Sequence, residues 1–179
     1  MKPLAERLRP STLDEYIGQK HLVGNGAVLR RMIDSGHISS FIHWGPPGVG
    51  KTTLAKIIAN QLDTPFYTLS AVNSGVKEVR EVIDKATKGR FFNEQSPILF
   101  IDEIHRFSKS QQDSLLAAVE TGAITLIGAT TENPSFEVIR PLLSRCQVYV
   151  LKSLEKQDLE GLLNRALTKD IVLKDMHIE

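Results

Sequence analysis

The chain has 179 residues, enough for one domain at the usual ~100–200 residues each, and chains of that size bury on the order of 70% of their unfolded surface. Hydrophobic residues make up 41% and charged residues 24%, which excludes a wholly disordered chain. Lysine plus arginine (22) against aspartate plus glutamate (21) leaves a formal charge of +1, so no overall basic excess announces nucleic acid. The single cysteine, Cys146, excludes an internal disulfide and every cysteine-rich zinc site.

In chain order, Met1–Arg7 carries no apolar stretch of the secretory type, and no run approaches the ~20 apolar residues that cross a bilayer. The expected compartment is therefore the cytoplasm, with no membrane partner. Five short apolar runs follow: Phe41–Trp44, Phe66–Leu69, Ile98–Ile101, Ile124–Ala129 and Val148–Leu151. They are β-branched or aromatic and mostly non-alternating, which predicts strands buried on both faces.

Helical spacing fills the gaps. Val76, Val79, Val82, Ile83 and Ala86 form one apolar stripe, and Leu115, Leu116 and Val119 form part of another. Ser108 and Gln111 fit a capping box that opens the latter helix, and Gly122 sits where it should stop. Ser153, then Glu155, Asp158, Leu159, Leu162, Leu163 and Ala166, predict a capped amphipathic helix that begins a second, helical subdomain. Strands alternating with helices imply an α/β domain around a mostly parallel sheet. The division expected is a nucleotide-binding core over 1–152 and the start of a helical lid over 153–179. The tail carries no clear end signal, so the chain is expected to be cut from a longer one.

The strongest chemical signal is Gly45-Pro46-Pro47-Gly48-Val49-Gly50-Lys51-Thr52. It follows the first strand and opens a helix at Thr53, the strand–loop–helix context of a phosphate-binding loop. Glycines let the backbone wrap phosphates, with amide groups and the helix N-terminus facing the negative charge. Lys51 is placed to reach the β- and γ-phosphates of ATP and Thr52 to ligate Mg²⁺, with Thr53 beside them.

A second signal is the apolar strand Ile98–Ile101 ending in Asp102-Glu103. In phosphate-loop enzymes an aspartate at this strand end holds the Mg²⁺ shell, and a neighbouring glutamate can take a proton from attacking water. The plain alternative is a pair of acids marking where a buried strand meets solvent. With Glu103 as base the chemistry is hydrolysis rather than transfer to a small molecule.

These residues resemble a known family. Gly45–Thr52, Asp102-Glu103-Ile104-His105-Arg106, Gly128-Ala129-Thr130-Thr131 and Ser144-Arg145-Cys146 together are similar to the AAA+ ATPases, in their DNA-acting clamp-loader branch. Asp14-Glu15-Tyr16-Ile17-Gly18-Gln19 resembles the N-terminal nucleotide-contacting segment of clamp loaders and of the Holliday-junction motor RuvB, which implies base contacts at Ile17 and Gly18. Leu8-Arg9-Pro10, Ser70–Val76 and Ala129–Phe136 are similar to the replication-associated recombination protein A family.

The resemblance implies a parallel sheet ordered 5-1-4-3-2 and a DNA-dependent ATPase acting at stalled replication forks. It also implies a homo-oligomer that works with replication-fork proteins such as single-strand-binding protein, close to the nucleoid. Thr131, with Thr130 as rival, would read the γ-phosphate. Arg145, with Arg140 a weaker candidate, would be an arginine finger completing a neighbouring subunit's site. The family's second sensor, usually an arginine in a helical lid after the core, is expected beyond the end of this sequence and is assigned to no residue here.

DNA contact would fall to Lys77 and Arg80, or to Lys88, Gly89, Arg90, Phe91 and Phe92. Lys77 with Glu81 and Glu81 with Lys85 also read as ordinary i,i+4 pairs on a solvated helix. A protein-remodelling ATPase indifferent to DNA is the competing reading, and Ala71–Gly75 lacks the aromatic that such machines place on their pore loop. A GTPase would need a guanine-reading Asn/Thr-Lys-x-Asp, and Thr168-Lys169-Asp170 lacks the spacer. The five histidines show no metal-ligand spacing.

Overall fold

A computed structural model describes residues 2–89 and 95–176. Five parallel strands form its sheet: β1 (Phe41–Trp44), β2 (Phe66–Ser70), β3 (Ile98–Asp102), β4 (Thr125–Thr130) and β5 (Gln147–Val150). Their spatial order is β2-β3-β4-β1-β5, which is the order the resemblance implied, counted from the other edge. The register pairs Phe41 with Ile127 and Gln147, Phe66 with Ile98, and Phe100 with Ile127.

Side chains alternate across these strands, so the sheet feeds two cores. Phe41, Phe100, Ile127 and Ala129 face α3 (Val28–Asp34) and α4 (Lys51–Gln61). Ile42, Leu99, Ile101 and Leu126 face α5 (Val76–Gly89), α6 (Lys109–Glu120) and α8 (Arg140–Leu143). The short helices α1 (Leu4–Arg7), α2 (Lys20–Val23) and α7 (Pro134–Glu137) complete the layers before α9 (Lys156–Lys169).

The double burial predicted for all five strands holds for β1, β3 and β4 only. β2 and β5 are the sheet's edges, and on β5 Val148 and Val150 remain 39% and 50% exposed. The last two strands also lie one residue off the apolar runs, because pairing with β1 and β3 fixes their ends.

The capping box at Ser108 is present in both directions: Gln111 N donates to Ser108 Oγ at 3.2 Å and Ser108 N donates to Gln111 Oε1 at 2.7 Å. Ser153, by contrast, is not the cap of the last helix. α9 begins at Lys156, capped by Glu155, whose own N–H donates to Asp158 Oδ2 at 2.9 Å. Its leucines are less buried than an amphipathic stripe predicts, with Leu159 and Leu163 exposed while Ala166 is buried.

α9 is instead moored to the N-terminal segment by charge. Arg7 Nε and Nη2 donate to the two carboxylate oxygens of Asp170 at 2.8 and 2.9 Å, and Arg165 Nη2 donates to Glu15 Oε2 at 2.7 Å. The hydrogen bond from Arg7 holds the Asp170 carboxyl well below its ordinary range, against burial, helped by donors from Val172 and Leu173. Among the described residues no helix is long and apolar enough to cross a membrane.

Candidate nucleotide site

In a parallel sheet the strand C-termini share one edge, and ligands gather where strand order switches direction. Here the loop after β1, the acids ending β3 and the threonine after β4 meet at that edge. β4 lies between β1 and β3, so Thr131 falls between the loop and the acidic pair. A cleft of about 380 Å³ is lined by Arg9, Pro47, Gly48, Gly50, Lys51, Thr52, Thr53, Asp102, Glu103 and Thr131.

Gly45 starts the loop by packing its backbone against the chain after β5. A Cβ there would come within 2.7 Å of the Leu151 carbonyl oxygen, so a side chain would push the loop off the sheet. Gly50 closes the loop at φ +91°, a conformation that glycine adopts without the Cβ penalty. Lys51 then begins α4, with its Nζ donating to the carbonyls of Gly45 at 2.7 Å and Pro46 at 2.9 Å. Burial lowers the Lys51 pKa, and the fields of Asp102 and Glu103 work to raise it.

Asp102 ends β3, and its Oδ1 accepts the N–H of Glu103 at 3.0 Å. Glu103 has φ +52°, a left-handed conformation uncommon for a residue with a side chain. Glu103 lines the cleft, and its Oε2 lies 3.3 Å from Nε of Arg106, which does not line it. Lysine, hydroxyl, carboxylate and helix N-terminus are the kinds of group that could hold a Mg²⁺–triphosphate. Among the described residues no cluster of three His, Cys, Asp or Glu could hold a metal by itself.

Beside the cleft lies a more apolar cavity of about 430 Å³, lined by Leu4, Leu8, Arg9, Pro10, Tyr16, Ile17, Val49, Leu154, Leu162 and Ala166 among others. Arg9, Gly48, Gly50 and Thr53 border both spaces. An apolar slot joined to a polar cleft could take a base on one side and phosphates on the other. Ile17 lines the slot. Gly18 does not: it lies behind, where a Cβ would meet Leu154 Cδ2 at 2.8 Å.

Of the two threonines, Thr131 lines the cleft, and Thr130 is buried with its hydroxyl beside His105. Arg145 borders neither space; its Nη2 donates to Glu120 Oε1 at 2.8 Å and its Nη1 to the Pro141 carbonyl at 2.7 Å. Arg140 is exposed on α8. Lys77 and Arg80 are exposed on α5, Lys77 3.8 Å from Glu81. Lys88 and Gly89 end that helix, and Arg90, Phe91 and Phe92 lie outside the described residues.

Two residues that the sequence offers only as members of resembling motifs contribute to the site. Tyr16 donates its hydroxyl to the carbonyls of Val49 at 3.0 Å and Gly50 at 3.3 Å, bracing the loop from 33 residues away, and burial raises its pKa. Arg9 lines both the slot and the cleft, with Glu6 Oε2 2.6 Å from its Nη2. An aromatic and an arginine in a loop-rich N-terminus were the available signals, but neither names its tertiary partner.

The model of the ATPase family associated with various cellular activities (AAA) matches residues 41–154. Replication-associated recombination protein A of Haemophilus influenzae is 54% identical over 165 residues, 92% of this chain and 37% of that protein. Its Escherichia coli K12 namesake is 52% identical over 182 residues, 97% of this chain and 40% of that protein. The chain thus spans about two-fifths of the length of these curated relatives. Among solved structures, the Thermotoga maritima RuvB Holliday junction branch migration motor superposes with a TM-score of 0.76 at 33% identity, over 97% of this chain and 57% of that one.

Proposed function

Since this chain belongs to the AAA family of ATPases, we propose that it is the ATP-hydrolysing core of a replication and recombination ATPase that acts on DNA. The observation that carries the proposal is the meeting of Lys51, Thr52, Asp102, Glu103 and Thr131 in one cleft that opens onto an apolar slot. Names borne by the relatives support the DNA half of the reading.

In this account the base enters the slot beside Tyr16 and Ile17, and the amides of Gly48–Lys51 wrap the phosphates. Lys51 exchanges its two loop carbonyls for phosphate oxygens, which replaces neutral acceptors by charged ones. Mg²⁺, held by the Thr52 hydroxyl and by Asp102, would spread positive charge over the β- and γ-phosphates. Glu103 orients a water molecule and takes its proton on a carboxylate oxygen. Thr131 donates to the γ-phosphate. Arg145 acts on the site of a neighbouring copy, so the working unit is a homo-oligomer.

Residues 153–179 begin a helical lid, tied to the N-terminal segment through Arg7–Asp170 and Glu15–Arg165, so the slot lies between core and lid. The substrate DNA is single-stranded or a fork or junction. Replication-fork proteins such as single-strand-binding protein are the partner class, in the cytoplasm at the nucleoid.

Steady-state ATP hydrolysis by the full-length protein, with and without single-stranded and junction DNA across a salt series, tests this. Stimulation by DNA that fades as salt rises is the expected result. Hydrolysis indifferent to every DNA would overturn the DNA-acting part and favour a protein-remodelling role.

A further inference from the structure

Thr130 joins three parts of the nucleotide site without lining the cleft. Its carbonyl accepts the N–H of Gly45, the first residue of the phosphate loop, at 3.1 Å. Its Oγ1 lies 2.9 Å from His105 Nδ1, and the N–H of Glu132 donates to that same oxygen at 3.0 Å. Thr130 is 1% exposed, so its hydroxyl is shielded from competing water and the bond is worth more than a surface one.

His105 belongs to the short 3-10 turn Ile104–Arg106 that follows Glu103. The turn is pressed onto the sheet as well as hydrogen-bonded to it. Ile104 is fully buried, and a Cβ on Gly128 of β4 would stand only 3.2 Å from Ile104 Cδ1. The missing side chain lets the turn sit close enough for His105 to reach Thr130. One residue beyond, Thr131 faces the cleft.

We infer that Thr130 and His105 are positioning residues, whose hydrogen bond couples the strand end carrying Thr131 to the turn carrying Glu103. The inference rests on Glu103 being the base. A shift of Thr131 toward a γ-phosphate moves the adjacent Thr130, and His105 passes that shift to a backbone already held in the left-handed region at Glu103. Neither protonation state of His105 breaks the link. A neutral ring accepts the Thr130 hydroxyl proton; a charged ring donates to Thr130 Oγ1, whose proton then turns to the Glu132 carbonyl 3.2 Å away.

The test uses the full-length protein and reads kcat for ATP hydrolysis together with Mg-ATP affinity. Thr130→Val removes the hydroxyl at constant shape and should lower kcat roughly 10- to 100-fold, the scale of an ångström's misplacement of a reacting group, with affinity unchanged. Thr130→Ser should restore turnover, and Thr130→Val combined with His105→Ala should be no worse than either alone. Normal turnover in Thr130→Val, or parallel loss of affinity and turnover, would overturn the coupling. Glu103→Gln run alongside separates the two readings. If it hydrolyses normally, the base assignment falls; if it is inactive while Thr130→Val is not, only the coupling falls.

Discussion

Arg145 Nη2 lies 2.8 Å from Glu120 Oε1, so the arginine proposed to act on a neighbouring copy is held against its own α6. With the two side chains 34% and 58% exposed, such a pair is worth no more than about 1 kcal/mol. A phosphate in an adjoining subunit can therefore draw the guanidinium away. Arg145→Ala should lose turnover by roughly 10³–10⁵-fold, the scale of arginine fingers in phosphoryl transfer. Mixing Arg145→Ala with Lys51→Ala subunits should restore hydrolysis, because each supplies what the other lacks. A mixture as inactive as its parts would contradict action in trans.

Tyr16 is predicted to matter for binding rather than chemistry. Its one hydroxyl proton is shared between the carbonyls of Val49 and Gly50, and a net hydrogen bond contributes about 1 kcal/mol. Tyr16→Phe should weaken nucleotide binding about fivefold and leave the hydrolysis rate of saturated enzyme intact. Titration with a fluorescent nucleotide measures it. An unchanged dissociation constant would show that the loop keeps its shape unaided.

His43, on β1 between β4 and β5, is fully buried, and neither ring nitrogen has a hydrogen-bond partner among the described residues. Burial, with the nearby Lys51 charge, lowers its pKa from 6.5 to about 3. The folded ring stays neutral while the unfolded one takes up a proton below pH 6.5, so this contribution is intact above pH 6.5. It is lost as pH falls toward 3, by about 1.4 kcal/mol per pH unit. Urea unfolding midpoints of the native chain should decline over that window, and His43→Leu should flatten the decline. Equal pH slopes in the two proteins would remove His43 as the cause.

The fold was legible because β1, β3 and β4 are central and buried, so their residues read as unbroken apolar runs. The edges were less so: Val148 and Val150 are as apolar as core residues yet half exposed, and periodicity cannot say which strand is outermost. The cap of α9 was misread because a serine is the commoner cap, whereas Glu155 reciprocates with Asp158 three residues on. The phosphate loop and Asp102-Glu103 were visible as contiguous motifs. Thr130 and Thr131 could not be separated until the strand's pleat turned one inward and the other toward the cleft. Tyr16 and His105 act through contacts 33 and 25 residues distant, which no local pattern encodes.

The central claim is that Glu103 acts after Mg-ATP has bound through Lys51. The most direct measurement compares Mg-ATP binding and single-turnover hydrolysis in the native protein, Glu103→Gln and Lys51→Ala. The account predicts that Glu103→Gln binds as tightly as the native protein and leaves ATP uncleaved, while Lys51→Ala fails to bind. Native-rate cleavage by Glu103→Gln, or native affinity in Lys51→Ala, would contradict it.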